Sequence, residues 1–168
     1  MEQTDGVNAT PEIALILAAG LGSRLRPQTK TPKPLTKVLG LSLAERVVCT
    51  LLDIGVRRFF VTLGHEAKTV RTHFADIAQR RGVTIDFIEA ENWERGNGAS
   101  ALAAKDHTGE AAFFLVMIDH IFDPGIAQAL ADNPPAPGEM CLAVDCDKGG
   151  IFDINDVTRV KFDDGRIQ

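Results

Sequence analysis

Five short apolar runs, at residues 13–18, 58–63, 84–88, 112–118 and 140–144, recur along this chain with helix-patterned stretches between them. Strands alternating with helices are the rhythm of βαβ units, which restricts the chain to a mostly parallel sheet with helices on both faces. The spacing predicts a helix over 43–54, with Val47, Val48, Leu51 and Leu52 on its apolar side and Gly55 as the residue that ends it. A second helix is expected over 66–81 and a third from Asn97 to Lys105, with Ala99, Leu102 and Ala103 facing inward. Asp123 before Pro124 reads as the N-cap and first turn of a fourth. The run Asn133-Pro-Pro-Ala-Pro-Gly138 excludes helix and leads to the last core strand. The expected class is α/β, doubly wound.

Charge then locates a site on that frame. The chain is acidic overall, at net −5, yet between Ile13 and Ala44 it carries Arg24, Arg26, Lys30, Lys33 and Lys37 and no acidic residue. A basic loop braced by Pro27, Pro32 and Pro34 suits a small polyanion such as a nucleoside triphosphate. Nucleic acid calls for a broader positive face than one short loop. The 168 residues, 45% hydrophobic and 24% charged, fit one domain with a sizeable core. The longest apolar runs, 13–19 and 111–118, fall far short of the roughly 20 residues that span a bilayer. Residues 1–12 are polar, without the apolar stretch of a secretory signal, and are expected to form a disordered extension ahead of a domain over 13–168. Without a secretory signal a cytoplasmic home is expected by default, and Cys49, Cys141 and Cys146, odd in number and lacking CxxC spacing, read as reduced thiols. At the far end, 157–162 reads as a strand entering a turn at Asp163, Asp164 and Gly165. The returning strand is expected beyond Gln168, so that the domain lacks its C-terminal portion.

In an open α/β sheet ligands bind beyond the carboxyl ends of the strands, and the loop after the first strand holds Gly20 and Gly22. A dinucleotide fingerprint fails there, because its third glycine falls on Leu25 and Pro27 breaks the helix that should follow. A Walker A loop fails for want of a Gly-Lys pair. The residues LAAGLGSRL followed by PKPL instead resemble the signature of sugar-phosphate and related nucleotidyltransferases, whose fold is Rossmann-like. The resemblance implies that Arg24 and Lys33 embrace a triphosphate and are catalytic. It implies too that Leu17, Ala18, Ala19, Gly20, Gly22 and Ser23 bind nucleotide.

The polar loop from Glu89 through Glu-Arg-Gly-Asn-Gly-Ala-Ser100 is, by the same resemblance, a base-reading element in which Glu89, Asn97 and Gly98 contact the nucleotide; read alone, it is a turn and a helix start. After the fourth strand come Asp119 and His120. In related nucleotidyltransferases an aspartate here holds Mg²⁺ across the nucleotide phosphates, usually after a glycine where this chain has Ile118. Asp119 otherwise caps a turn, and His120 either orients a substrate or fills that turn. Lys148 either meets an acceptor phosphate or is solvated. The ERGNGAS loop together with the Asp-His pair is most similar to CTP:inositol-1-phosphate cytidylyltransferases. The implied reaction needs no protein base, since a phosphate monoester is already largely dianionic near neutral pH, with its second pKa at about 6. An alternative is a nucleotide-binding regulatory module, or pseudoenzyme, of the same fold.

Overall fold

The computed structural model describes residues 11–23, 30–109, 111–147, 149 and 157–167. Strand β1 (Ile13–Leu17) is followed by a 3-10 turn (Lys33–Leu35), a small hairpin of β2 (Lys37–Val38) and β3 (Leu41–Ser42), and helix α1 (Leu43–Asp53). Then come β4 (Arg58–Leu63), α2 (Ala67–Arg81), β5 (Thr84–Glu89), a second 3-10 turn (Trp93–Arg95), α3 (Asn97–Leu102), α4 (Lys105–Thr108), β6 (Phe114–Met117) and α5 (Pro124–Asp132). A terminal hairpin pairs β7 (Phe162–Asp163) with β8 (Arg166–Ile167).

The main sheet runs in the order β5-β4-β1-β6, and every pair in it is parallel. Period-2 alternation sorts side chains to two cores. Ala14, Ile16, Phe59 and Val61 face Val48 and Leu51 of α1, Phe74 and Ile77 of α2, and Ala127 of α5. Leu15, Leu17, Phe60 and Ile88 face the opposite way, onto Ala104 between α3 and α4. The chain is thus doubly wound, and its strand order reverses between β1 and β6. Glu12, just ahead of β1, is tied to the sheet, since its carbonyl accepts from the Arg57 and Arg58 N–H groups. Among the described residues no helix is long and apolar enough to cross a membrane.

Helix α1 begins with an S-x-x-E sequence, and the Ser42 hydroxyl accepts from the Glu45 N–H at 3.1 Å. Glu45 does not return the bond. Its buried carboxylate takes both Arg80 nitrogens, at 2.5 and 3.1 Å, and two from Arg81, at 3.1 and 2.7 Å. One acidic side chain therefore ties the start of α1 to the end of α2. Ser42→Ala is expected to cost about 1 kcal/mol by loss of the cap, readable as a lower urea midpoint at unchanged slope.

Three expectations need correction. Residues 140–144 form no strand, and Met140 is 84% exposed. The third helix is split in two, because a tight turn from Ala101 to Ala104 buries Ala104 against β1 and β4. The returning strand of the tail is present as Arg166–Ile167, around the expected Asp164-Gly165 turn, and the incoming strand is only Phe162–Asp163. The hairpin at Lys37–Ser42 was not foreseen. It turns through Leu39 and Gly40, both at positive φ, and is held by Arg46, whose guanidinium donates to the carbonyls of Val38 and Leu39.

Candidate active site

Parallel pairing puts the carboxyl ends of all four strands on one edge, and the reversal between β1 and β6 opens a crevice there. Two loops meet at it. The backbone before the glycine turn is committed to its neighbours: the Leu17 carbonyl accepts from the Ile118 N–H, the Ala18 N–H donates to the Thr62 carbonyl, and the Ala19 carbonyl accepts from the His65 N–H at 2.9 Å. Leu17, Ala18 and Ala19 are buried. They hold the loop in place, whereas Gly20 and Ser23 are exposed at its surface.

The two glycines differ in kind. Gly22 has φ +66°, and a Cβ there would lie 2.9 Å from the Lys33 Cβ, so its lack of a side chain lets the stem of Lys33 rest on the loop. Gly20 has no such demand from the described residues, none of which a Cβ there would meet within 4 Å. Space above an exposed glycine, clear of the described residues, would let a ligand approach the backbone. Gly22→Ala should therefore cost about 1–2 kcal/mol of stability and displace Lys33. Gly20→Ala should stay within about 0.5 kcal/mol yet weaken triphosphate binding. Urea unfolding and ligand titration of both variants check this pair of results.

Lys33 sits at the head of the 3-10 turn and reaches across the crevice to Asp119, its Nζ 2.6 Å from Oδ2. The two residues are 86 positions apart in the chain. Asp119 is presented by a turn after β6 that closes with the His120 N–H on the Met117 carbonyl. Burial raises its pKa, but the hydrogen bond and charge of Lys33 more than offset this and hold it below the usual carboxylate value. Asp119 is therefore ionised at neutral pH. Both side chains are partly accessible, at 20% for Lys33 and 34% for Asp119, so incoming groups can exchange with either.

The Asn97 amide donates to the Met117 sulfur at 3.0 Å, which brings the start of α3 beside the end of β6. Gly98, next to it, also has none of the described residues within 4 Å of a Cβ position. A glycine inside a helix costs about 1 kcal/mol relative to alanine, and packing in this structure gives no reason for it. Glu89 does not join the group. It pairs with Arg71 of α2, on the side of Phe87, whose ring also lies under the Arg71 guanidinium. Arg24 and Lys148 lie outside the described residues.

Two residues at this edge went unnoticed in the sequence. A Cβ on Gly64, just after β4, would lie 2.5 Å from the Trp93 ring and 2.8 Å from the Ala19 carbonyl oxygen. Only a glycine directly after a strand, facing a lone aromatic in a polar loop, could have signalled this contact.

Known proteins share this family and fold. Residues 14–151 match the MobA-like NTP transferase domain. The chain is 37% identical over 155 residues to a bifunctional IPC transferase and DIPP synthase of Rubrobacter xylanophilus, which covers 92% of this chain and 33% of that protein. It is 36% identical over 126 residues to a 2-aminoethylphosphonate cytidylyltransferase of Lancefieldella rimae, covering 71% of this chain and 50% of the relative. The inositol-1-phosphate CTP transferase of T. maritima superposes with a TM-score of 0.62 at 28% identity, over 71% of this chain and 48% of that one. The chain thus spans a third to a half of the length of these relatives. With the parallel sheet, the glycine loop and the match over residues 14–151, this chain belongs to the family of MobA-like NTP transferase domains.

Proposed function

We propose that this chain carries the nucleotidyl-transfer site of a CTP-dependent cytidylyltransferase, which moves CMP from CTP onto a phosphate monoester such as inositol 1-phosphate and releases pyrophosphate. The observation that carries the reading is the Lys33–Asp119 pair at the β1/β6 crevice, a cation and a carboxylate held together beside an open glycine loop. The names of the relatives point the same way, since they combine cytidylyl or CTP transfer with phosphate or phosphonate acceptors.

In the reaction an acceptor oxygen forms a new bond to the α-phosphorus of CTP while the bond from that phosphorus to the α,β-bridging oxygen breaks, and the electron pair leaves with pyrophosphate. The acceptor is already anionic, so the chain need not remove a proton. Its work is positioning and charge compensation. Lys33 meets phosphate oxygens and balances charge that builds on the leaving group. Gly20 admits the phosphates to the backbone, and Asn97 with Gly98 faces the base.

Asp119 is the residue that would hold Mg²⁺. Among the described residues no group of three or more His, Cys, Asp or Glu side chains could cage a metal. A single ionised, partly accessible carboxylate suits Mg²⁺, which keeps waters and takes substrate phosphates as its other ligands. When bound, the ion supplies charge neutralisation to the phosphates. The three cysteines are unpaired, which suits the reducing cytoplasm as the place of action.

Thermal shift with Mg²⁺ and each of CTP, UTP, GTP and ATP tests the donor, because a ligand of the folded state alone raises the melting temperature. CTP is expected to give the largest shift. Pyrophosphate release with inositol 1-phosphate or 2-aminoethylphosphonate then tests the acceptor. A shift with CTP but no pyrophosphate with either acceptor would make the chain a nucleotide-binding module; no shift with any triphosphate would sink the donor site.

A further inference from the structure

Trp93 is the one tryptophan of a chain that contains no tyrosine, and it lies in the loop that leads to Asn97. Across residues 91–98 every side chain is exposed except Trp93, which is partly buried. Its ring lies on the Gly64 backbone, so close that a methyl on Gly64 would overlap it, and at the same joint the Ala19 carbonyl accepts from the His65 N–H. The His65 ring flanks the indole at 5.9 Å between centroids. Three loops of the crevice thus meet around Gly64 and His65: the glycine loop at Ala19, the β4 loop at Gly64 and His65 themselves, and the base-side loop at the Trp93 indole.

Backbone bonds carry that contact onward. The Trp93 N–H donates to Ala90, the Gly96 N–H to the Trp93 carbonyl, and the Ser100 N–H to Gly96, so the 3-10 turn under Trp93 runs straight into the first turn of α3. Asn97 and Gly98 sit on that turn. Gly96, at φ +102°, is the swivel between the two. The exposed residues of the loop offer little apolar area to hold it down, whereas a tryptophan buries on the order of 150–250 Å².

We infer that Trp93 is a positioning residue for the nucleotide, fixing the base-side loop against the glycine loop so that Asn97 and the phosphate-binding backbone are held in one spatial relation. The inference rests on the nucleotidyltransferase reading of the crevice. It assigns Trp93 no contact with reacting atoms. Preorganisation of this kind acts on affinity, because a loop that is already ordered need not be ordered on binding.

Intrinsic tryptophan fluorescence of the unmodified chain reports Trp93 alone. Titration with CTP and Mg²⁺ is expected to change its intensity or emission wavelength with the same midpoint as the thermal shift. Trp93→Ala should raise the KM for CTP about tenfold or more with kcat changed less than threefold, and Trp93→Phe, which restores a flat ring, should recover most of the loss. Gly64→Ala, which drives a methyl into the ring, should mimic Trp93→Ala. If Trp93→Ala fails to fold, the wild-type titration and the Gly64→Ala kinetics decide the matter. CTP binding by thermal shift with fluorescence unmoved and KM unchanged in Gly64→Ala would overturn this inference and leave the proposed function standing. An absence of binding by any triphosphate would overturn both.

Discussion

Asp119→Asn is expected to lower Mg²⁺-dependent pyrophosphate release by about 100-fold or more, the scale of removing one charge-stabilising group from a transition state. Lys33→Ala should do the same. Their effects on binding should differ in sign. In the unliganded chain the two side chains neutralise one another across 2.6 Å, so each substitution exposes the charge of the other. Asp119→Asn releases Lys33 and removes a carboxylate from the triphosphate's path, and it should bind metal-free CTP more tightly than the wild type. Lys33→Ala leaves an uncompensated carboxylate there and should bind it more weakly. Because both residues belong to one network, the double variant should lose less turnover than the product of the single losses. Near-normal turnover in either single variant would remove that residue from the mechanism, and parallel changes in metal-free affinity would show that the two charges do not neutralise one another in the crevice.

The second large effect lies away from the crevice. Arg80 holds the carboxyl of Glu45 at a pKa of about 2, with Arg81 adding to the shift and burial opposing it, against an ordinary 4.5. A shift of that size corresponds to about 3 kcal/mol, and solvent around the partly exposed guanidinium groups reduces it to about 2 kcal/mol. Glu45→Gln should therefore lower the unfolding free energy by about 2 kcal/mol at pH 7. The sign with pH follows from a depressed carboxylate: the contribution is complete above pH 4.5 and is lost as pH falls toward 2. Wild type and variant should thus differ by a constant amount from neutral pH down to about pH 5 and converge below it. A difference that persists undiminished at pH 3 would show that the carboxylate's charge is not what stabilises the joint.

How much of this was legible in the sequence depends on whether a feature is local. Strands β1 and β4 are covered on both faces and so read as unbroken apolar runs. The Asp123 cap and the glycine at 55 are local chemistry, and both appear as expected. The Met140–Val144 pattern is as apolar as a strand but says nothing about a partner, and no described strand takes it up. The split after Leu102 likewise could not be seen, because the alanines at 101, 103 and 104 suit a continuous helix and only burial of Ala104 decides otherwise. In the crevice, Lys33 and Asp119 were legible through the family signature. The support of Lys33 by Gly22 and the seat of Trp93 on Gly64 were not, since each depends on two segments whose approach no spacing records. Glu89 is implied to be a nucleotide contact by the family resemblance. Strand alternation turns it to the face opposite Ile88, where Arg71 claims it.

Strand β1 is paired along its length by β4 on one side and β6 on the other, and its last carbonyl and the next N–H continue both ladders into the base of the glycine loop. Amide protons so enclosed exchange with solvent only when the sheet itself opens, so the root of the loop belongs to the slowest-exchanging class of the molecule. A ligand that grips this loop is thereby anchored to the most persistent part of the fold, and the free energy of its binding is felt by the whole domain and not by one mobile segment.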